Sequence, residues 1–176
     1  MTHENLMPIN ILCAAHNSNY FKIPYVFPWT IEMDAYNFNN SFPVIAHPPC
    51  AQWSRMHKFS KNDPYQKNLA VFCFEKIQQN GGILEHPAGS HLFKYLGIEK
   101  QVISVNQFWF GFPAQKKTYL YFNNCAPGAT PLNFDAITKS VSSMHSISRS
   151  LTTLHFNQWL VDSVRNSFNR TSPDHK

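Results

Sequence analysis

The chain has 176 residues, of which 43% are apolar and 14% are charged, a composition that predicts a folded domain and excludes a disordered chain. Its net charge of +5 favours an anionic partner, a nucleotide or a nucleic acid. No apolar stretch has the length of a membrane span and the N-terminus lacks a signal pattern, so we expect a cytoplasmic protein with no membrane partner.

The first two predicted strands are apolar runs that cover residues 9–15 and 43–47. Runs of this length are typical of strands buried on both faces of a parallel sheet. The first is followed by Ser18, Asn19 and Tyr20, at the position where a doubly wound sheet meets its ligand. The second ends at His47. We expect these four side chains to bind substrate.

A stiff turn follows the second strand and presents a thiol. Pro48 and Pro49 precede Cys50, and each proline fixes its own φ and pushes the residue before it towards extended geometry. The thiol is therefore aimed from the carboxyl end of the strand, where open α/β sheets bind their ligands. This arrangement predicts that Cys50 is a nucleophile and that Trp53 and Arg55 bind substrate beside it.

A helix with clear boundaries links the second strand to the third. Asp63 is its predicted N-cap, a proline occupies its first position, and Gly81 follows its end. The third strand covers residues 82–86 and contains Glu85 and His86. Because a strand, helix, strand unit keeps its two strands parallel, we expect Glu85 to lie at the same sheet edge as the cysteine.

The later elements are predicted from apolar runs and turn residues. They are a short helix over 90–96, strands over 101–110 and 117–122, a surface loop from 126 to 150, and a helix over 153–168. Gln107 lies near the end of one strand and is expected to contact a base. Lys116, Lys117 and Thr118 begin the next and are candidates for holding phosphate.

These elements together predict an α/β fold. We expect a single domain over residues 1–168, built on a mostly parallel Rossmann-like sheet flanked by helices, with an antiparallel edge. Residues 169–176 are expected to form a frayed C-terminal tail.

The Pro-Pro-Cys turn, the Glu-His-Pro strand end and the later strand with Gln107 and basic residues resemble, in this order, the catalytic half of the cytosine-C5 DNA methyltransferases. The same motifs are similar to those of small uncharacterised bacteriophage proteins. The resemblance implies a phage- or prophage-type protein that acts on a nucleotide or on DNA. It also implies that Cys50, Glu85 and His86 are catalytic, with the thiolate attacking C6 of a pyrimidine-like base.

The chain departs from the methyltransferase pattern in two places. It has no glycine before Gly81, whereas that family binds S-adenosylmethionine with a Gly-rich turn after its first strand. In addition, His86 stands where the family has asparagine. The cofactor therefore remains unknown, and we expect no appreciable affinity for S-adenosylmethionine.

The proposed chemistry requires particular protonation states. A thiol must lose its proton to attack, and we expect Arg55, His47 or His57 to lower the pKa of Cys50. Partial desolvation at the strand end is expected to keep Glu85 protonated. Trp53 is expected to stack on the base.

Two further function classes remain open. The chain could be a non-catalytic protein that captures a nucleotide or a nucleotide-derived defence signal, or an interaction module on a decayed enzyme scaffold. A zinc deaminase is excluded because Pro49-Cys50 is not followed by a second, closely spaced cysteine. No metal is expected, and the four cysteines lack the paired spacing of a disulfide framework.

Overall fold

The computed structural model describes residues 6–54, 62–131 and 141–169. Within them the strands are β1 (Ile9–Leu12), β2 (Val26–Trp29), β3 (Val44–Ala46), β4 (Gly82–Pro87), β5 (Val102–Asn106) and β6 (Lys117–Asn123). The helices are α1 (Pro64–Asn80), α2 (Leu92–Tyr95), α3 (Ser146–Ser150) and α4 (Leu154–Asn169). None of the helices in these three ranges has the length and hydrophobicity that a bilayer crossing requires.

The strands form one sheet in the order β2, β1, β3, β4, β6, β5. The first four run parallel, and β6 runs antiparallel to both of its neighbours. The carboxyl ends of β1, β3, β4 and β5 therefore share one edge of the sheet with the beginning of β6. We call this the carboxyl edge. The arrangement confirms the predicted α/β fold, with a mostly parallel sheet and antiparallel pairing towards one side.

Helices cover both faces of the sheet, which explains why the parallel strands are continuous apolar runs. Successive residues of β3 and β4 point to opposite faces. Ile45 and Ile83 belong to the core under α4, whereas Ala46 and Leu84 belong to the core under α1. All four side chains are fully buried.

The boundaries of α1 match the prediction because they depend on local chemistry. Asp63 accepts a hydrogen bond from the backbone N–H of Gln66 at 3.2 Å, and Gly81 adopts a φ of 77° at the other end. Gly82 follows with a φ of 129°. A Cβ on Gly82 would lie 1.8 Å from the carbonyl oxygen of Val44, so β3 can approach β4 this closely only at a glycine.

Several other predicted boundaries are wrong. The first strand ends at Leu12 because Cys13, with a φ of 60°, turns the chain out of the extended conformation. The strand predicted over 101–110 ends at Asn106, whose side chain accepts a hydrogen bond from Phe108 N–H and begins a 3₁₀ turn over Gln107–Phe110. The helix predicted over 90–96 is limited to Leu92–Tyr95.

The structure contains a strand, β2, and a helix, α3, that were not predicted. Strand β2 contains Pro28, which breaks the usual strand pattern and is tolerated because β2 is at the edge of the sheet. Within the loop predicted over 126–150, the described residues include helix α3. Residues 132–140 of that loop and residues 170–176 of the predicted tail lie outside the described residues.

Arg165 in α4 connects the two ends of the described chain. Its Nε donates to the carbonyl of Met7 at 3.2 Å, and its Nη2 donates to the carbonyls of Pro24 at 2.7 Å and Tyr25 at 3.3 Å. The side chain is buried, so these backbone oxygens satisfy its donors. Helix α4 is thereby fixed to the segments that precede β1 and β2.

Candidate functional site

Polar side chains from separate strands meet at the carboxyl edge. Tyr20 lies in the 3₁₀ turn that follows β1, His47 follows β3, and Glu85 lies near the end of β4. Thr118 is the second residue of β6, which starts at this edge because it runs antiparallel to β4. Four residues that are far apart in sequence are thus brought together by the topology of the sheet.

Tyr20, His47 and Glu85 form a continuous hydrogen-bonded chain. The Tyr20 hydroxyl is 2.9 Å from His47 Nε2, and His47 Nδ1 is 3.0 Å from Glu85 Oε2. Ser18 caps the turn that carries Tyr20, since its hydroxyl accepts a hydrogen bond from Tyr20 N–H. Tyr20 and Glu85 are both buried, and His47 is largely so. Burial and the negative charge of Glu85 raise the pKa of Tyr20, which keeps its hydroxyl protonated.

The second oxygen of Glu85 is also occupied. Gln107 Nε2 donates to Glu85 Oε1 at 3.4 Å, and the Thr118 hydroxyl is within hydrogen-bond reach of the same oxygen. The Thr118 hydroxyl is also 3.0 Å from the carbonyl oxygen of His86. Because a hydroxyl has one proton, Thr118 can donate to only one of these acceptors at a time.

Glu85 is ionised in this environment, so the expectation that it is protonated is wrong. Desolvation acts to raise the pKa of Glu85, but the hydrogen bond and charge of His47, the Thr118 hydroxyl and the charge of Lys116 together lower it to about 2. The prediction failed because it weighed burial without these partners, which come from β3, β6 and the segment before β6.

Lys116 is a basic residue whose charge acts on the site. Its ammonium donates to the carbonyl of Leu151 at 2.8 Å and lies 4.9 Å from the centre of the Phe112 ring. Burial lowers the pKa of Lys116, while the negative charge of Glu85, and that of Cys50 when its thiol is ionised, oppose that effect. Lys117, one residue later, is exposed. The sequence analysis named both lysines as candidates for holding phosphate, because the register that separates them is not visible in a Lys-Lys pair.

Cys50 is exposed and begins the 3₁₀ turn Ala51–Trp53. Desolvation of the thiol and the negative charge of Glu85 raise the pKa of Cys50, while a backbone hydrogen bond and the positive charge of Lys116 act in the opposite direction. The resting group is therefore a thiol, and the expected lowering of its pKa is wrong. Arg55 and His57, two of the groups expected to lower it, lie outside the described residues.

His86 lies beneath the site. It is fully buried, its ring is 6.4 Å from that of Phe93, and neither ring nitrogen makes a hydrogen bond of ordinary geometry. Desolvation is the main reason that the pKa of His86 is lowered to about 4, while the negative charge of Glu85 and the nearby backbone of Pro49 oppose the shift. A neutral, buried imidazole against the Pro-Pro-Cys turn supports that turn. It does not present a group to a ligand as the predicted catalytic role requires.

The remaining predicted binding residues have structural partners. Asn19 donates to the carbonyl of Thr152 at 2.9 Å, and Ser18 serves as the cap described above. Trp53 is buried, with its ring 5.0 Å from that of Tyr95 and the ammonium of Lys67 above both rings. Trp53 therefore does not offer a free face to a base, as had been expected.

Two surface cavities lie away from the carboxyl-edge network. One of about 480 Å³ is lined by residues that include Trp109, His155 and Trp159, and one of about 340 Å³ by residues that include Lys94 and Tyr119. Neither is lined by Cys50, His47 or Glu85. Among the residues that the structure describes, no group of three histidine, cysteine or acidic side chains is arranged to hold a metal ion.

Comparison of the chain with protein-family models gives no match. Comparison with curated proteins gives none either. The interpretation of the site therefore depends on its own chemistry. A buried carboxylate, an imidazole and a phenol form a chain through which a proton can move, and a thiol and an ammonium group lie within electrostatic range of the carboxylate.

Proposed function

We propose that this protein binds a nucleotide or a nucleic acid at the carboxyl edge and acts on a pyrimidine-like base through Cys50. The observation that carries this proposal is the exposed Cys50 thiol, whose pKa is influenced by the charges of both Glu85 and Lys116. We also propose that the protein is of phage or prophage type, acts on DNA or a nucleotide in the cytoplasm, and has a Rossmann-like sheet.

The chemistry begins with the addition of the Cys50 sulfur to C6 of the base. An S–C6 bond forms, the C5–C6 double bond breaks, and the electron pair moves towards C5, which then accepts an electrophile or a proton from solvent. The thiol proton passes to solvent before the attack, since the thiol is exposed. Lys116 favours that loss because its positive charge stabilises the thiolate, and Glu85 opposes it.

Glu85 would orient the base through hydrogen bonds. As an ionised carboxylate it only accepts, so it pairs with a hydrogen-bond donor on the ligand, such as an exocyclic amino group or a protonated ring nitrogen. Both of its oxygens have protein partners in the structure. Among the described residues Oε2 has one partner, His47, so it has a lone pair left for a ligand donor, while the 3.4 Å contact with Gln107 is the longer of those two.

The test uses exchange at C5, which requires no donor group. Reversible addition of the thiol in D₂O replaces the hydrogen on C5 with deuterium, because C5 takes a deuteron from solvent and then loses its original proton as the S–C6 bond breaks. Deoxycytidine monophosphate, deoxyuridine monophosphate and a single-stranded oligonucleotide are incubated with the protein, and the H5 signal is followed by proton NMR. We expect loss of that signal with one of these substrates.

Two variants make the exchange test specific. Cys50→Ser should abolish exchange, whereas Cys125→Ser, which changes a cysteine elsewhere in the fold, should leave it unchanged. Exchange that persists in Cys50→Ser, or no exchange with any of the three substrates, would contradict the assignment of Cys50 as the nucleophile.

A second candidate is a protein that captures a nucleotide or a nucleotide-derived signal without turnover. The raised pKa of Cys50 favours it, because the resting thiol is not poised to react. Mass spectrometry of small molecules that copurify with the protein distinguishes the candidates. A tightly bound, unmodified nucleotide together with absent C5 exchange supports capture.

A further inference from the structure

Cys13 and Cys73 bring their sulfur atoms into contact although they are 60 residues apart in sequence. The two Sγ atoms are separated by 3.7 Å, and one thiol can donate to the other. Cys13 directly follows β1, at the carboxyl edge, and is partly exposed. Cys73 lies in α1 and is fully buried.

The backbone at Cys13 is held in an unusual conformation. Its φ of 60° lies in the left-handed region, which is unfavourable for a residue with a Cβ. The side chain packs with the core under α1, where Leu12 and Cys73 also lie. The two thiols therefore meet in mainly apolar surroundings, and the raised pKa of Cys73, caused first by its hydrogen bond to Cys13, keeps the buried sulfur protonated at rest.

We propose that Cys13 and Cys73 are a modification site, which forms a reversible intrachain disulfide when a peroxide reaches Cys13. The Cys13 thiolate attacks one peroxide oxygen, the O–O bond breaks, and Cys13 becomes a sulfenic acid as hydroxide leaves. The Cys73 sulfur then attacks the Cys13 sulfur, the S–O bond breaks, and the hydroxyl leaves as water with the Cys73 proton. The peroxide gains the two electrons that the two thiols lose.

The geometry assigns different roles to the two sulfurs. Cys13 is accessible to a small oxidant, whereas Cys73 can react only with a partner that is already beside it. Closing the bond requires the sulfurs to move from 3.7 Å to about 2.05 Å. Cys73 is fixed within a 17-residue helix, so most of the movement falls on Cys13.

This movement would reach the carboxyl-edge network through the chain itself. The segment from Cys13 leads directly to Ser18 and Tyr20, and Tyr20 is hydrogen-bonded to His47. The oxidation state of the cysteine pair would therefore influence the position of Tyr20. The disulfide itself does not depend on the function proposed above, since its formation is detected without any substrate.

The other cysteines provide a comparison. The Cys125 thiol donates to the carbonyl of Gly82 at 3.2 Å, and desolvation raises the pKa of Cys125 to about 11, so it should resist oxidation. Cys50 is exposed and can be oxidised, and it lies at the start of the Ala51–Trp53 turn, on a different segment of the chain from Cys13 and Cys73. Peptide mapping therefore distinguishes a cross-link between Cys13 and Cys73 from general oxidation of thiols.

The experiment treats the full-length protein with graded hydrogen peroxide, blocks free thiols with one alkylating reagent, reduces the protein, and labels the released thiols with a second. Peptide mapping should show Cys13 and Cys73 protected together, and a linked peptide should appear in the unreduced digest. Dithiothreitol should restore both thiols. The Cys125→Ser variant should behave like the wild type.

Two outcomes would overturn the proposal. One is a linked peptide that joins Cys13 to Cys50 or to a second chain. The other is overoxidation of Cys13 to sulfinic acid while Cys73 stays free. As a check on the order of events, Cys73→Ser should accumulate a dimedone-reactive sulfenic acid at Cys13. If that variant does not fold, peptide mapping of the wild type is the decisive measurement.

Discussion

His47 Nδ1 lies 3.0 Å from Glu85 Oε2, across the carboxyl ends of the adjacent strands β3 and β4. Because Glu85 is ionised and can only accept, Nδ1 must carry a proton. When His47 is neutral, its Nε2 is therefore the acceptor for the Tyr20 hydroxyl. The carboxylate thus fixes both the tautomer of His47 and the direction of the hydrogen-bonded chain.

We predict that limiting iodoacetamide labels Cys50 before Cys73 and Cys125. Cys50 is exposed, Cys73 is fully buried, and the pKa of Cys125 is raised to about 11. Because the pKa of Cys50 is itself raised, labelling should be slow at neutral pH and should accelerate as the pH rises. Peptide mapping over a time course at several pH values measures this. Earlier labelling of Cys73 or Cys125 would contradict the structure.

We predict opposite effects of two substitutions on the rate at which Cys50 is labelled. Glu85→Gln removes a negative charge that disfavours the thiolate, so labelling at pH 7 should become faster. Lys116→Met removes a positive charge that favours the thiolate, so it should become slower. At a pH below the pKa of the thiol, the thiolate fraction changes about tenfold for each unit by which that pKa shifts. Lys117→Met, at an exposed neighbouring lysine, is the matched control and should have little effect.

We predict that Glu85 contributes to acid unfolding between pH 4.5 and about 2. The folded pKa of about 2 is below the unfolded value of 4.5, so the unfolded chain takes up the proton first. The stabilisation is complete above pH 4.5 and is lost as the pH falls towards 2; its size is on the order of 3 kcal/mol. Urea midpoints across this range, compared with those of Glu85→Gln, test it. An equal pH slope in both proteins would count against an ionised Glu85.

We predict that His86 makes the fold sensitive to pH in a higher range. Its folded pKa of about 4 is below the unfolded value of 6.5, because burial disfavours the charged imidazole. The stabilisation is therefore complete above pH 6.5 and is lost as the pH falls to about 4, again on the order of 3 kcal/mol. His86→Asn should flatten the stability profile between these values, whereas His155→Asn, at an exposed position, should preserve it.

We predict that Gly82→Ala destabilises the fold by about 3 kcal/mol or more. The new Cβ would lie 1.8 Å from the carbonyl oxygen of Val44 and would push β3 and β4 apart. Gly97→Ala is the matched control, because Gly97 also has a positive φ, of 72°, but a Cβ there meets nothing within 4 Å. Its cost should be only the left-handed penalty of about 1–2 kcal/mol. Chemical denaturation measures both, and equal losses would contradict the close approach of the strands.

The sequence predicted those features that depend on neighbouring residues. The bounds of α1 follow from Asp63 at one end and Gly81 at the other, and both act within one turn of the helix. Strand β2 was not predicted, because its pairing with β1 compensates for Pro28 and that pairing is not local. The assignment of Cys50 and Glu85 to one sheet edge needed only the parallel crossover between β3 and β4.

The protonation states at the site could not be predicted in the same way. The ionisation of Glu85 depends on His47, Thr118 and Lys116, which lie 31 to 38 positions away and converge only in the folded chain. Which of Lys116 and Lys117 lies near Glu85 depends on the register of β6 against β4, where Thr118 pairs with Pro87. Local patterns identify candidate residues, but charge and orientation are set by distant partners.

The contacts of Arg165 have a consequence for the order in which the chain folds. The hydrogen bond from Arg165 to Met7 joins residues 158 positions apart, so it closes nearly the whole chain into one loop. Contacts between residues so far apart in sequence form late, and they make folding slower, because the entropy of loop closure must be overcome first. During synthesis, β1 and β2 leave the ribosome long before α4 exists to cover them. One face of the N-terminal strands therefore stays exposed until α4 has been synthesised. A chain truncated before α4 should aggregate even though it retains Cys50 and Glu85.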